Sequence, residues 1–154
     1  MSLRGLAVVA LLGLVTACNG VPLITAGQPP DTSGLRPALT GSVASFFTAY
    51  SKGDMAAATQ WLDPRLADNC GGPKAWVSAY DVLHRSEKRN YLLSQVNVTS
   101  YSADKAKADV SYTSENWDGS RRESVTINRD FALVSGKWVM STDWIAFKGF
   151  CRQP

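Results

Sequence analysis

Polar residues interrupt two otherwise apolar segments, and side chains at these positions could carry out acid–base or anion-binding chemistry. Asp81 and His84 are three residues apart, a spacing that brings a carboxylate next to an imidazole on one side of a helix. Arg129 follows the same alternation as Val125 and Ile127, so it faces inward if they do. An inward guanidinium needs a partner or an anionic ligand. A β-bulge that turns Arg129 outward is the simpler expectation.

Catalysis by Asp81 and His84 is not expected. The two residues flank Leu83 at the border of the apolar stripe of a predicted helix, and polar residues there usually lie at the solvated edge. The sequence has neither a glycine-flanked serine nucleophile nor a glycine-rich phosphate loop. With one histidine and no clustered ligand spacing, it predicts no metal site. We therefore predict no catalytic residue and no cofactor.

Binding residues are expected on the inner face of a predicted sheet. The candidates for a pocket there are Tyr112, Arg129, Thr142 and Trp144. Trp117 differs from the other tryptophans because it lies at a predicted hairpin tip, with little core to join. It could therefore contact a partner.

Three helices are predicted before the strands. Apolar residues recur at helical spacing from Leu39 to Tyr50, and Gly53 lies where a left-handed C-terminal cap is expected. Asp54 can cap a second helix that ends by Asp63, because Pro64 disfavours helix at the residue before it. The segment 65–72 is expected to be a loop. Pro73 suits the first turn of a third helix, with a stripe of Trp76, Val77, Tyr80 and Leu83.

From residue 90 onward the apolar period changes to two, which is typical of strands. One face of the first strand is expected to carry Leu92, Val96 and Val98, and one face of the second Ala106, Ala108, Val110 and Tyr112. Asp118-Gly119 and Ser135-Gly136 indicate the next two turns. The last strand contains neighbouring apolar residues, so it is either covered on both faces or bulged. Helices followed by a four-stranded antiparallel meander indicate an α+β fold with the helices on one sheet face.

The first two helices resemble the start of the nuclear-transport-factor-2-like (NTF2-like) superfamily. Residues 43–58 read VASFFTAYSKGDMAAA, an aliphatic-aromatic helix, then Gly-Asp, then an alanine-rich helix. The resemblance covers about residues 38–150 and implies a curved sheet and helices that form a cone around a pocket. Family members include isomerases and dehydratases, and many others only bind a ligand or partner, so the fold alone does not select a function. The sequence departs from the family in one place, since residues 62–66 would have to supply a strand that Pro64 interrupts.

Residues 1–17 resemble the signal peptide of a bacterial lipoprotein. Arg4 is followed by an apolar run over 6–15, too short to span a bilayer, and then by Val-Thr-Ala-Cys at 15–18, which is similar to a lipobox. The resemblance implies that Cys18 is acylated and that the chain is cut before it. Several acyl chains anchor a protein stably where one does not. Residues 18–37, with four prolines between 19 and 37, are expected to tether a domain of residues 38–154.

Charge and cysteine content limit the remaining possibilities. The net charge is +3, and removal of residues 1–17 takes only Arg4 and leaves +2. A nearly balanced chain does not favour nucleic acid, which needs a concentrated basic surface. With Cys18 acylated, Cys70 and Cys151 remain, and in an oxidising compartment one disulfide is the simplest state, although two free thiols are the alternative.

These features together predict a lipid-anchored protein of the bacterial cell envelope, with its domain on the extracytoplasmic side. The expected role is a non-enzymatic binding or interaction module for a small apolar ligand or another envelope protein. A small isomerase or dehydratase that uses the cone pocket is the alternative, and a purely structural lipoprotein is a third reading.

Overall fold

The computed structural model describes residues 33–142, which belong to the compact unit Asp31–Pro154. The helices are α1 (Leu35–Ser51), α2 (Met55–Thr59), a 3-10 helix (Pro64–Cys70) and α3 (Pro73–Glu87). The strands are β1 (Arg89–Tyr101), β2 (Lys105–Asn116), β3 (Glu123–Val134) and β4 (Lys137–Met140). This is the predicted α+β order. Within this part of the chain, every helix is too short or too polar to cross a bilayer.

The helix boundaries follow local rules that the sequence contains. The Asp54 carboxylate caps α2 by accepting a hydrogen bond from the Ala57 N–H at 2.9 Å, and Gly53, at φ +78°, makes the turn from α1. Pro73 begins α3. The segment 65–72 differs from expectation, because most of it forms the 3-10 helix. Asp63 caps that helix by accepting from the Arg65 N–H at 3.0 Å.

The four strands form one antiparallel sheet in the order β1-β2-β3-β4. The predicted inner face of β1 is partly wrong, because Leu92 is 47% exposed whereas Tyr91 is buried. The pairing of β1 with β2 shifts at Ser94 and again at Thr99. Each extra residue reverses the alternation and bends the strand, so Tyr91 and Val96 both face the core although their positions differ by five, an odd number.

Strands β2 and β3 pair without a register shift, as expected for regular strands. The predicted inner face of β2 is confirmed, since Ala106, Ala108, Val110 and Tyr112 are all buried. In β4, neighbouring Val139 and Met140 are both buried and the pairing with β3 is regular, so the strand is covered on both faces rather than bulged. Trp144 lies outside the described residues.

The strand that the family pattern leads one to expect after α2 is reduced to a single bridge. Leu62 pairs in parallel with Met140, and two hydrogen bonds hold it: Asp63 N–H to Met140 O at 2.8 Å and Met140 N–H to Trp61 O at 3.0 Å. Pro64 ends the pairing because it lacks an N–H and starts the 3-10 helix instead. The helices pack on the inner face of the curved sheet, as predicted. Polar contacts tie α1 to the sheet, such as Arg36 Nε to Val96 O at 3.0 Å.

Candidate functional site

Aromatic rings fill the space between the helices and the sheet. Centroids of contacting rings lie 5.2–6.4 Å apart, mostly tilted or edge-to-face, which is the arrangement that aromatic pairs prefer. We call this group the aromatic core; its six residues, all buried, are Phe46, Phe47, Tyr50, Tyr80, Tyr91 and Tyr112. In the described part of the chain, side chains therefore occupy the volume where the family resemblance implies a pocket.

A carboxylate at the end of α3 joins two phenols of the aromatic core. Glu87 Oε2 accepts hydrogen bonds from the Tyr91 hydroxyl at 2.9 Å and from the Tyr50 hydroxyl at 3.3 Å. Burial is the main cause that raises the pKa of both phenols, and the neighbouring phenols raise it further. Tyr50 and Tyr91 therefore stay protonated at neutral pH and act as donors to Glu87.

His84 does not lie at a solvated edge, so that expectation is wrong. The side chain extends the stripe of Trp76 and Tyr80 by one helical turn and is buried. Burial lowers the pKa of His84, although the Asp81 charge opposes the shift. The Asp81 carboxylate instead forms an ion pair with Arg85 at 2.5 Å. The spacing of Asp81 and His84 thus produces no acid–base pair in hydrogen-bond contact among the described residues.

Trp117 packs against the domain, although its position at a predicted hairpin tip suggested that it had little core to join. Its side chain is 46% exposed, but the ring packs on His84 with centroids 5.0 Å apart. The Trp117 N–H donates to Lys88 O at 2.9 Å, which holds the hairpin tip against the end of α3. The Tyr50 ring also packs on His84, with ring centroids 5.0 Å apart.

Arg129 lies on the inner face of the sheet, contrary to the favoured expectation of a bulge. It pairs with Ala108, and directly paired residues share a face, so the regular register of β2 and β3 points it the same way as buried Ala108. The guanidinium is half-buried, and burial lowers the pKa of Arg129 against the opposing effect of Tyr112 and Tyr80. The structure thus brings together Tyr112 and Arg129, two of the four predicted pocket residues.

The other predicted pocket residues are placed differently. The Thr142 hydroxyl accepts a hydrogen bond from the Asp130 N–H at 3.3 Å, at the end of β4. Trp144 lies outside the described residues, so its assignment stays a prediction. Ser114 is buried and its hydroxyl accepts from Arg89 Nη1 at 3.0 Å, which assigns it a structural contact.

A cavity of about 490 Å³ lies where β1 and β2 meet their connecting turn, and sequence reasoning missed it. Residues from four elements line it: Arg65, Ser100, Tyr101, Ser102, Lys105, Ala106, Lys107, Asp130, Phe131, Ala132 and Ser141. The lining combines small or aromatic apolar side chains with serine hydroxyls and cations. The cavity lies next to Thr99, the extra residue that bends β1. No signal for it is visible in the sequence, because a bulge cannot be located from residue types alone.

The cysteines and acidic residues define no metal centre among the described residues, where no group of three potential ligands occurs. Cys70 ends the 3-10 helix and is disulfide-bonded. Both other cysteines, Cys18 and Cys151, lie outside the described residues. The pairing of Cys70 with Cys151 and the acylation of Cys18 therefore stay predictions.

Comparisons with known proteins agree with this architecture. No family model and no curated protein matches the sequence. Among solved structures, an uncharacterised protein with a cystatin-like fold from Caulobacter vibrioides has a TM-score of 0.51 at 15% identity, over 68% of this chain and 82% of that one. An NTF2-like protein with a cystatin-like fold from Novosphingobium aromaticivorans has a TM-score of 0.50 at 14% identity, over 76% and 88% of the two chains.

A third similar structure is a candidate ketosteroid isomerase from Shewanella frigidimarina, with a TM-score of 0.50 at 14% identity, over 70% of this chain and 94% of that one. At such low identity these similarities show the fold and nothing finer. The domain has the NTF2-like fold, in which helices pack inside a curved antiparallel sheet.

Proposed function

We propose that this protein is a lipid-anchored binding module of the bacterial cell envelope, and that its NTF2-like domain binds a small ligand in the cavity beside the β1–β2 turn. The observation that carries the proposal is that the filled interior and the open cavity are two different regions of the domain. Aromatic rings fill the interior between helices and sheet, whereas about 490 Å³ of space lies at the end of the sheet. A volume of 300–1,000 Å³ is usual for a small-molecule site.

The lining of the cavity favours a ligand with an apolar body and one acidic group. Ala106 and Phe131 supply apolar wall. Among the cations, Lys107 pairs with Asp130 at 2.8 Å and Arg65 pairs with Asp63. Lys105 has no ion-pair partner in the part of the chain that the structure describes, so it is the cation that an acidic ligand would engage.

A non-enzymatic role is supported by what surrounds the single histidine. General acid–base catalysis at neutral pH is best served by a group that titrates there and can reach a substrate. His84 is buried between the rings of Tyr50 and Trp117, away from the residues that line the cavity. In the cavity itself, the one carboxylate, Asp130, is half-exposed and paired with Lys107.

An isomerase- or dehydratase-type enzyme remains the second candidate. The observation in its favour is that buried Tyr50 and Tyr91 both donate to the partly buried Glu87, because phenols kept protonated by burial are donors that can stabilise a developing oxyanion. In the structure both phenols donate to Glu87 rather than toward open space. The binding role therefore accounts for more of the geometry.

The cavity can be tested with 1-anilinonaphthalene-8-sulfonate, a dye with an aromatic body and one anionic group. We expect saturable binding of one dye per chain. Ser100→Trp should weaken it at least tenfold, because Ser100 lines the cavity and an indole there would occupy the space. Lys105→Gln should weaken it severalfold and remove most of its salt dependence.

Matched controls are available at exposed positions that do not line the cavity. Gln95→Trp places an equally large side chain on an exposed position of β1 that does not line the cavity, and Lys74→Gln removes an exposed cation from the start of α3. Both should bind the dye as the parent does. If Ser100→Trp and Gln95→Trp bind it equally well while their circular dichroism and thermal unfolding match the parent, the dye does not enter the cavity and the proposed site is wrong.

The anchoring part of the proposal is supported by the lipobox-like residues 15–18 and has its own test. Cys18→Ala should release the protein from the membrane fraction, because an apolar run over 6–15 is too short to span a bilayer. Cell fractionation with a carbonate wash of the membrane pellet would show the change. Ser2→Ala, also within the predicted signal peptide, should leave the protein in the pellet. A Cys18→Ala protein with its signal removed that still resists carbonate would refute lipid anchoring.

A further inference from the structure

The end of the domain opposite the cavity contains a buried imidazole closed off by a single aromatic ring. His84 is 7% exposed, and its ring contacts the rings of Tyr50 and Trp117, each with centroids 5.0 Å apart. Gly53 adds a third wall, since a Cβ at that residue would lie 3.5 Å from His84 Cε1. Trp117, itself 46% exposed, is the part of this enclosure that solvent can reach.

The enclosure suits a neutral imidazole and not a charged one. His84 Nε2 is buried and has no hydrogen-bond partner among residues 33–142. A neutral ring can leave this atom as an unused acceptor, but an imidazolium carries N–H donors on both nitrogens and each then needs a partner. Attraction between a cation and the Trp117 ring offsets only part of the cost of taking the charge out of water. Burial accordingly lowers the pKa of His84.

We propose that Trp117 is a pH-dependent lid over His84, closed while the imidazole is neutral and opened when the imidazole takes up a proton. The hinge is the hairpin 117–122 between β2 and β3. One backbone hydrogen bond, Trp117 N–H to Lys88 O, holds its tip on α3. Displacing the indole lets water reach Nε2 without disturbing the strand pairing of β2 with β3.

Charged groups lie on every element that neighbours His84. On α3 these are Asp81, Arg85 and Glu87, followed by Lys88; on the turn from α1 to α2, Lys52 and Asp54; at the start of β1, Arg89; and in the hairpin, Asp118, Arg121 and Arg122. Asp81 pairs with Arg85, and Glu87 accepts from two tyrosines. They comprise four acids and six bases, and none of them forms a hydrogen bond with His84 Nε2, so they do not supply the missing partner for a protonated ring.

The direction of the effect follows from proton linkage. An open lid leaves the imidazole with an ordinary affinity for protons, whereas the closed lid reduces that affinity. The closed state is therefore favoured above the ordinary histidine range and loses its advantage as the pH falls through it. Opening would also uncover the part of the Tyr50 ring near the imidazole, and the Tyr50 hydroxyl donates to Glu87.

The test uses the full-length chain without an affinity tag, in detergent micelles, so that His84 is the only histidine. The Hε1 proton resonance of His84 reports its titration, and 5-fluorotryptophan gives a fluorine resonance for Trp117, assigned with Trp117→Phe. We expect His84 to titrate below pH 6.5 and the Trp117 resonance to shift with the same midpoint. In Trp117→Ala the midpoint should rise towards about 6.5, the value for a free histidine.

Two variants keep the proposal falsifiable. Trp117→Phe retains an aromatic lid and should keep the lowered midpoint, whereas Trp117→Ala should not. His84→Gln cannot titrate in this range, so the Trp117 resonance should lose its pH dependence while the other fluorine signals show that the fold persists. A Trp117 resonance that does not move while His84 titrates, or that still moves in His84→Gln, would overturn the proposal.

Discussion

Replacing Asp63 tests how the fold closes its shortest sheet contact. Asp63 is 3% exposed, its N–H donates to Met140 O, and its carboxylate accepts from the Arg65 N–H and from the Arg65 guanidinium. It therefore stabilises the bridge to β4 and the start of the 3-10 helix together. Asp63→Ala removes the carboxylate and leaves the amide of Arg65 without its acceptor.

The expected loss can be worked out from these contacts. Loss of the cap, which includes leaving the Arg65 N–H without its acceptor, costs about 2 kcal/mol here, near the upper end for helix caps because the Asp63 side chain is buried. The ion pair with Arg65 adds less than about 1 kcal/mol, because the Arg65 side chain is 74% exposed and water screens it. Asp63→Ala should therefore lower the free energy of unfolding by about 2–3 kcal/mol.

Urea unfolding followed by circular dichroism measures this loss, and Asp54→Ala is the matched control. Asp54 also caps a helix, by accepting a single hydrogen bond from the Ala57 N–H, but it is exposed and forms no ion pair within the described residues. Its replacement should cost about 1 kcal/mol. Equal losses in the two variants, or a loss below about 1 kcal/mol in Asp63→Ala, would refute the reasoning that burial and the second contact distinguish Asp63.

The pH dependence offers a second check on the same residue. The hydrogen bond from Arg65 is the largest cause that lowers the pKa of Asp63, against the effect of burial. A carboxyl whose pKa is lower in the folded state stabilises the fold above its unfolded pKa of about 3.9, and that stabilisation is lost as the pH falls through the folded value. The stability difference between the parent and Asp63→Asn should thus be constant above about pH 5 and shrink below about pH 4. A difference that grows in acid would contradict this assignment.

Three further predictions concern the sheet, the cysteines and catalysis. Deleting Ser94 should remove the first bulge of β1 and turn Leu92 inward and Tyr91 outward. Because this empties part of the aromatic core, the free energy of unfolding in urea should fall by more than about 3 kcal/mol. Ser94→Ala should be nearly neutral, and a deletion variant as stable as the parent would contradict the register. Non-reducing peptide mapping should find Cys70 joined to Cys151, with reduction costing about 3–5 kcal/mol; two alkylatable thiols would disprove the pairing. In a screen of isomerase and dehydratase substrates, we expect no turnover that His84→Ala removes, and loss of turnover in that folded variant would favour the enzyme.

Local rules were sufficient for much of the fold. The caps at Asp54 and Pro73 and the alternation of β2 depend on interactions within a few residues, and the structure confirms them. The NTF2-like fold was also predicted, because the helical start and the meander that follows it are both visible in residue order. These features need no knowledge of distant contacts.

The errors in the predicted site come from contacts between separate elements: strand register for Tyr91 and Arg129, and packing of a hairpin on a helix for His84. Ser94 is an ordinary residue in sequence, yet its extra position in β1 exchanges the roles of Tyr91 and Leu92. For Arg129 the reverse happened: a bulge was expected and the pairing with Ala108 is regular, so the side chain faces inward. His84 was expected at a solvated edge because it lies beside the apolar stripe of its own helix, but the Trp117 hairpin covers it.

The sequence by itself determined the order of helices and strands, the starts of two helices at Asp54 and Pro73, which residues of β2 are buried, and that Tyr112 and Arg129 are candidates for the inner face of the sheet. Each of these depends on backbone geometry and side-chain period within one element. Only the tertiary structure decided that the aromatic core fills the interior, that Trp117 lies on His84, and that a cavity lies beside Lys105. These depend on how elements far apart in the chain pack, and packing is set by shapes and registers that no single segment contains.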